Sequence, residues 1–146
     1  MKHEPMFQWD PDSGVATCAL TDGYNIFLGM ATCAEDDRDM MNEKTGLQIA
    51  AYRARIDYLK HIRDNILKPR LAALKQLYFS INQSKYFNPN SYETRMLQRQ
   101  IYLTDSDLRM IKEDIAQIRQ ILNEYLDRKA EFYQKVREHR DKDKNN

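Results

Sequence analysis

The amino-acid sequence predicts an α+β protein in which a small N-terminal antiparallel β-sheet is followed by a long C-terminal helical hairpin. Three observations carry this reading. The four glycines, Gly14, Gly23, Gly29 and Gly46, all fall in the first third, among short apolar runs separated by turn-forming clusters. Beyond Gly46 helix formers dominate and glycine is absent. From Leu97 onward apolar residues recur at alternating spacings of four and three, the mark of a heptad seam. A chain of 146 residues is one domain's worth of material. Its expected organisation is a β-meander over 1–34, helices over 35–83 with a break near Pro69, and a long helix over 90–138.

In the first segment, Pro5 to Trp9, Val15 to Leu20 and Asn25 to Thr32 read as strands. Asp10-Pro11-Asp12-Ser13-Gly14 and Thr21-Asp22-Gly23 supply the turns, because Asp and Ser bond their own backbone and Gly accepts left-handed dihedrals. Glu35, Asp36, Asp37 and Asp39 then lead into a short helical turn through Asn42, where carboxylates suit the positive end of a helix dipole. A hard cation would also like such a cluster, but no glycine-centred loop or distant ligand set accompanies it.

Leu47 to Gln83 reads as helix, kinked or split near Leu67 because Pro69 deletes a backbone donor. Leu67, Leu71, Leu74, Tyr78 and Ile81 form its apolar stripe. Ser84 to Pro89 is the hairpin loop, with Asn88 as N-cap and Pro89 at the first helical position of the last helix. In that helix Leu97, Ile101, Thr104, Leu108, Ile111, Ile115, Ile118, Leu122 and Tyr125 make the seam, and Phe132 and Val136 continue it. At about 1.5 Å per residue the seam extends roughly 70 Å, more than one small domain covers. Part is expected to pack on the preceding helix and the rest on another copy of the chain. The tail from Asp141 is expected to be solvated.

Composition excludes several function classes. With 42% hydrophobic and 31% charged residues and a net charge of +1, the chain has no cationic excess with which to displace counterions from duplex nucleic acid. No run approaches the roughly 18 apolar residues of a membrane span. Met1 to Asp10 contains no apolar signal-peptide core. A cytoplasmic location is therefore expected, with Cys18 and Cys33 as reduced, small hydrophobic residues. The histidines, His3, His61 and His139, are scattered, so no metal site or cofactor is expected. No phosphate-binding glycine loop or nucleophile elbow appears either, and the chain is read as non-enzymatic.

Binding is better supported. The hairpin loop and its flanks collect Tyr78, Phe79, Asn82, Tyr86, Phe87, Asn88 and Tyr92 just before Arg95 and Arg99. Aromatic faces stack bases, Asn reads their edges, and arginines one helical turn apart grip one phosphate group. The bland alternative has the aromatics closing the hairpin and the arginines paired with Glu93 or Asp105. Arg53, Arg55, Lys60 and Arg63 form a second basic set, which matters only if assembly brings copies together.

The whole layout resembles the phage-encoded Thoeris anti-defence sponge proteins of the first described type. The residues that carry the likeness are Gly29-Met30-Ala31-Thr32-Cys33-Ala34-Glu35-Asp36-Asp37, Glu43-Lys44-Thr45-Gly46, Ile49-Ala50-Ala51-Tyr52-Arg53-Ala54 and the two closing helices. The resemblance implies a sheet-plus-helices fold, no catalysis, and capture of cyclic ADP-ribose isomers or another cyclic nucleotide signal in pockets between subunits of a homo-oligomer, with cyclic oligonucleotides at a separate site in some members. It also implies a pocket built from an aromatic residue, an Asn and helix arginines. Those types match Tyr78 or Phe79, Asn88, and Arg95, Arg99 or Arg109 here. The rival reading is a coiled-coil adaptor, or a direct protein inhibitor of a defence enzyme, that uses the same seam on a foreign partner.

Overall fold

A computed structural model describes residues 4–33 and 42–144. The acidic cluster of Glu35, Asp36, Asp37 and Asp39 and its expected helical turn lie outside the described residues. The fold is α+β, with an antiparallel meander of β1 (Met6–Asp10), β2 (Val15–Thr21) and β3 (Ile26–Thr32) in the order β1-β2-β3. Helices α1 (Glu43–His61), α2 (Lys68–Asn82) and α3 (Tyr92–Lys144) follow, and a π-helical segment, Ile62–Leu67, joins α1 to α2. Contacts divide the chain into two units, Met1–Tyr58 with Gln117–Asn146, and Leu59–Ala116.

Turn chemistry sets the register of the meander. Asp10 accepts the Asp12 amide at 3.0 Å and the Ser13 hydroxyl at 2.7 Å. Gly14 closes that turn at φ 69°, where an L side chain is strained. In the second turn Asp22 accepts the amides of Tyr24 and Asn25 at 2.9 and 2.7 Å, and Gly23 sits at φ 98°. The register then places Phe7, Cys18 and Gly29 in one inward row, Trp9, Ala16 and Ala31 in a second, and Leu20 with Phe27 in a third.

Helix α1 crosses this inner face antiparallel to β3. Gly46 lies against Ala16 and the Trp9 indole, and the α1 backbone at Ala50 and Ala54 comes so close to Gly29 that no Cβ fits there. At the far end Tyr58 meets Phe27 edge-on with centroids 5.1 Å apart, a pairing worth about 0.5–1.5 kcal/mol beyond its buried area. Ala16, Cys18, Leu20, Phe27, Ala31, Ala50 and Ala54 form the resulting core. Small residues dominate it because helix and strand backbones approach one another directly. Arg53 fastens the same contact by donating to the Met30 carbonyl at 2.7 Å. Cys33 N donates to Gly14 O, so the hydrogen-bonded pairs of β2 and β3 fall at odd positions of β3. The Met30 carbonyl therefore points to the free edge of the sheet.

The break expected at Pro69 takes the form of a π-helical segment, with no loop. Lys68 N donates to Arg63 O, five residues back, and Leu67 and Lys68 keep right-handed helical dihedrals. Wider turns of this kind accommodate a proline that lacks an N–H and whose ring would strike the carbonyl four residues earlier.

In the unit Leu59–Ala116, Leu67 at the end of the π-helical segment and Leu71, Leu74, Tyr78 and Ile81 of α2 are buried or half-buried, as expected from their spacing. Arg70 donates to Gln100 at 3.0 Å, and Gln98 donates to the Tyr78 hydroxyl at 3.0 Å, tying α2 to α3 in antiparallel order. Helix α3 starts later than expected because Ser91, not Asn88, caps it. The Ser91 hydroxyl accepts the Thr94 amide at 3.2 Å and donates to the Thr94 hydroxyl at 2.7 Å, while Asn88 caps the amide of Asn90 in a local turn. The helix also continues past the expected end, to Lys144.

Leu97, Thr104, Leu108, Ile115 and Leu122 of the seam are buried. Phe132 is not part of it and lies exposed, whereas Leu126, Lys129, Tyr133 and Val136 are half-buried. An α-helix turns every 3.6 residues, so a strict heptad frame drifts off the covered face. By Phe132 the drift has moved the seam by one position. No helix among the described residues is long and apolar enough to cross a membrane.

Candidate functional site

Two clusters merit description, one expected from the sequence and one not. The expected cluster lies at the hairpin end of the unit Leu59–Ala116. Tyr78 is a structural pin here: its ring meets Phe87 at 90° with centroids 6.4 Å apart, and its hydroxyl accepts from Gln98. These two aromatics close the hairpin. Phe79, Tyr86 and Tyr92 do not, being 64%, 86% and 72% exposed. Asn88 is exposed, and its side-chain oxygen accepts the Asn90 amide at 2.9 Å.

The arginines sort themselves by their partners. Arg109 pairs with Asp105 at 2.6 Å, so its charge is offset locally. Arg95 and Arg99 are exposed, and neither forms an ion pair among the described residues. They stand one helical turn apart on α3, spaced to share one anion.

The second basic set does not form a patch. Arg53 is engaged with the Met30 carbonyl, Arg55 is exposed, and Arg63 makes a bidentate contact with Asp64 at 2.8 and 3.0 Å. The Arg63 guanidinium first, and Lys68 at 3.2 Å second, hold the Asp64 carboxyl well below the usual carboxylate range.

The unexpected cluster lies within the unit Met1–Tyr58 with Gln117–Asn146. There a cavity of about 250 Å³ is lined by Trp9 from β1, Thr45 and Gly46 from the first turns of α1, and Lys129, Tyr133 and Arg137 from the end of α3. The three α3 residues recur every fourth position and so share one helix face. Gly46 permits the arrangement, since a Cβ there would crowd the Trp9 ring at 3.3 Å. Lys129 sits 5.6 Å over the Tyr125 ring and forms no ion pair among the described residues.

None of Tyr78, Phe79, Asn88, Arg95, Arg99, Arg109, Arg53, Arg55 or Arg63 lines this cavity. Its walls come from stretches at 9–14, 31–33, 42–49 and 126–137, which no local motif connects. The available signals were the only tryptophan of the chain and the four-residue spacing of Lys129, Tyr133 and Arg137. Among the described residues no group of three or more His, Cys, Asp or Glu could hold a metal ion. No family model, curated protein or solved structure matches the chain.

Proposed function

We propose that this chain is a non-catalytic anti-defence protein that sequesters a cyclic nucleotide immune signal of the cyclic ADP-ribose type in the cytoplasm of a phage-infected bacterium. The observation that carries the reading is the pair Arg95 and Arg99, exposed and without carboxylate partners among the described residues, in the same unit as the uncovered rings of Phe79, Tyr86 and Tyr92. Two guanidinium forks suit a pyrophosphate, an exposed ring suits adenine, and the Asn88 NH2 group suits a ribose or base acceptor. Sequestration demands only tight closure and needs no nucleophile or base.

Closure requires walls that one copy lacks, and a homo-oligomer supplies them. Helix α3 carries a second, outward stripe of exposed apolar side chains at Tyr92, Met96, Leu103, Met110, Ile121 and Phe132. The outer sheet face adds Met6, Ile26, Leu28 and Met30. Exposed apolar surface on this scale favours association.

The test is depletion of a ligand. Protein at micromolar concentration is mixed with the products of a TIR-domain enzyme, passed through an ultrafiltration membrane, and heated to release what was held. The expected result is loss of the cyclic ADP-ribose isomer from the filtrate and its intact return on heating, with at least tenfold weaker retention by an Arg95→Ala, Arg99→Ala double variant. Unchanged filtrate would overturn the reading. Co-purification of a host protein at fixed stoichiometry, with no depletion, would favour the adaptor or direct-inhibitor reading, which the same outward stripe supports.

A further inference from the structure

We infer that Phe87, Tyr78 and Gln98 form a tether that positions the hairpin loop, with Asn88 and Tyr86, relative to Arg95 and Arg99. The three are positioning residues of the hairpin site, and the ligand they serve rests on the sequestration reading.

The loop is fastened at one point. Residues 82–90 are all exposed except Phe87, which is half-buried. The hydrogen bonds of the loop are local. The Phe87 amide donates to the Ser84 carbonyl at 3.1 Å, the Tyr86 amide to the Ser84 hydroxyl at 3.3 Å, and the Ser91 amide to the Asn88 carbonyl at 3.1 Å. Bonds of that kind shape a turn without fixing where it lies against the helices. Its link to α2 is the edge-on contact of the Phe87 ring with the Tyr78 ring, whose centroids lie 6.4 Å apart at 90°. An aromatic pair in this orientation is favoured by the positive ring edge facing the negative ring face, so it fixes direction as well as distance.

Tyr78 is held in turn from α3. Gln98 donates its side-chain amide to the Tyr78 hydroxyl at 3.0 Å, which pins the far end of the ring. Gln98 follows Arg95 by three residues and so stands next to it on the helix surface. Phe87 is the chain neighbour of Asn88. The path from Gln98 through Tyr78 to Phe87 therefore joins the arginine-bearing helix to the loop whose Asn88 and Tyr86 complete the site. A loop already held in place loses less freedom when a ligand arrives, and groups set in advance bind more tightly. A second bond, from Arg70 to Gln100 at 3.0 Å, also joins α2 to α3, but it starts about two helical turns before Tyr78 and does not lead to the loop. It separates a general helix-to-helix brace from the tether.

Two readouts on the full-length protein test the inference. The first, without ligand, is hydrogen exchange at the amides of Phe87, Asn90 and Ser91, compared with the buried α3 residues Leu97, Thr104 and Leu108. Tyr78→Phe keeps the ring and removes the acceptor, and Gln98→Met keeps the stem and removes the donor. Each should speed exchange in the loop by about threefold to tenfold, the range for one lost hydrogen bond, with α3 unchanged. The double variant should match either single one, because both break the same bond. Phe87→Ala should speed it by about tenfold or more, since the ring pairing goes as well. Arg70→Ala should leave the loop as it is in the parent. The second readout is retention of the cyclic ADP-ribose isomer made by the TIR-domain enzyme. Tyr78→Phe and Gln98→Met should each weaken it by about threefold or more, and Arg70→Ala should not. Loop exchange unmoved by Tyr78→Phe and Gln98→Met, equal acceleration throughout α3, or an equal effect of Arg70→Ala would overturn the inference. So would unaltered retention by both variants beside a parent that retains the isomer, and the sequestration reading would then stand. A parent that retains nothing overturns the sequestration reading and the ligand role of the tether together.

Discussion

Replacing Gly29 with alanine tests the packing on which the sheet unit depends. Gly29 has no left-handed dihedral, so conformational freedom is not the reason for glycine there. Space is the reason. An added Cβ would lie 3.0 Å from the Ala50 carbonyl carbon and closer still to the Ala50 oxygen and the Ala54 nitrogen. These are helix backbone atoms, which cannot swing aside as a side chain can. Helix α1 would have to withdraw by about 1 Å, a gap that forfeits roughly a quarter to a half of each contact's dispersion attraction across the face. Overpacked cores usually cost about 1–3 kcal/mol, and a backbone-on-backbone clash belongs at or above the top of that range. The expectation is a loss of about 3 kcal/mol or more, a large share of the roughly 5–15 kcal/mol available to a folded domain. In urea denaturation followed by circular dichroism the midpoint should fall sharply, and thermal melting should drop by about 10 °C. Gly46→Ala is the control, because its Cβ would press on the Ala16 methyl at 3.0 Å and the Trp9 ring at 3.3 Å, both side chains. It should change stability by no more than about 1 kcal/mol. A Gly29→Ala loss below about 1 kcal/mol would refute the close approach of α1 to β3.

Three further outcomes are expected. Ser91→Ala should cost about 1 kcal/mol in urea unfolding, since it removes the acceptor of the Thr94 amide, whereas Asn88→Ala should cost less because Asn88 does not cap α3. Burial raises the pKa of the Cys18 thiol, so in a Cys33→Ser variant a thiol reagent at pH 8 should react with Cys18 only as fast as the protein unfolds. Backbone bonds from Asn25 first, and from Tyr24 second, lower the pKa of Asp22 below its unfolded value. Its contribution is therefore present above the unfolded value near 4 and is lost as pH falls through the folded one. The urea midpoint of an Asp22→Asn variant should consequently depend less on pH between about 5 and 3 than the parent's, and equal slopes would contradict the turn geometry.

The fold was legible where local chemistry decides it. Asp10 to Gly14 and Thr21 to Gly23 announce the turns, and the strands follow to within a residue or two because their ends are set by those same side chains. The α3 seam was legible as far as Leu122 and was misread at Phe132, where counting by sevens outruns a helix of 3.6 residues per turn. Ser91 lost the capping role to Asn88 on paper because a following proline at the first helical position is a strong signal, yet the Asn88 side chain closes a local turn instead. At the hairpin the residue types were readable, but which arginine stays unpaired was not, since Asp105 lies near three of them in sequence and reaches only Arg109. The Trp9 cavity was illegible for a different reason. Residues 9, 45 and 129 become neighbours only through tertiary packing.

The Arg53 contact with the Met30 carbonyl bears on how the protein avoids fibres. A three-stranded sheet has two open edges, and an unclaimed row of acceptors on either one invites a strand from a neighbouring molecule. The guanidinium already occupies an outward acceptor in the middle of β3 and carries a charge that an incoming strand would have to displace. Crowded molecules are thus turned away from open-ended ladder growth along that side.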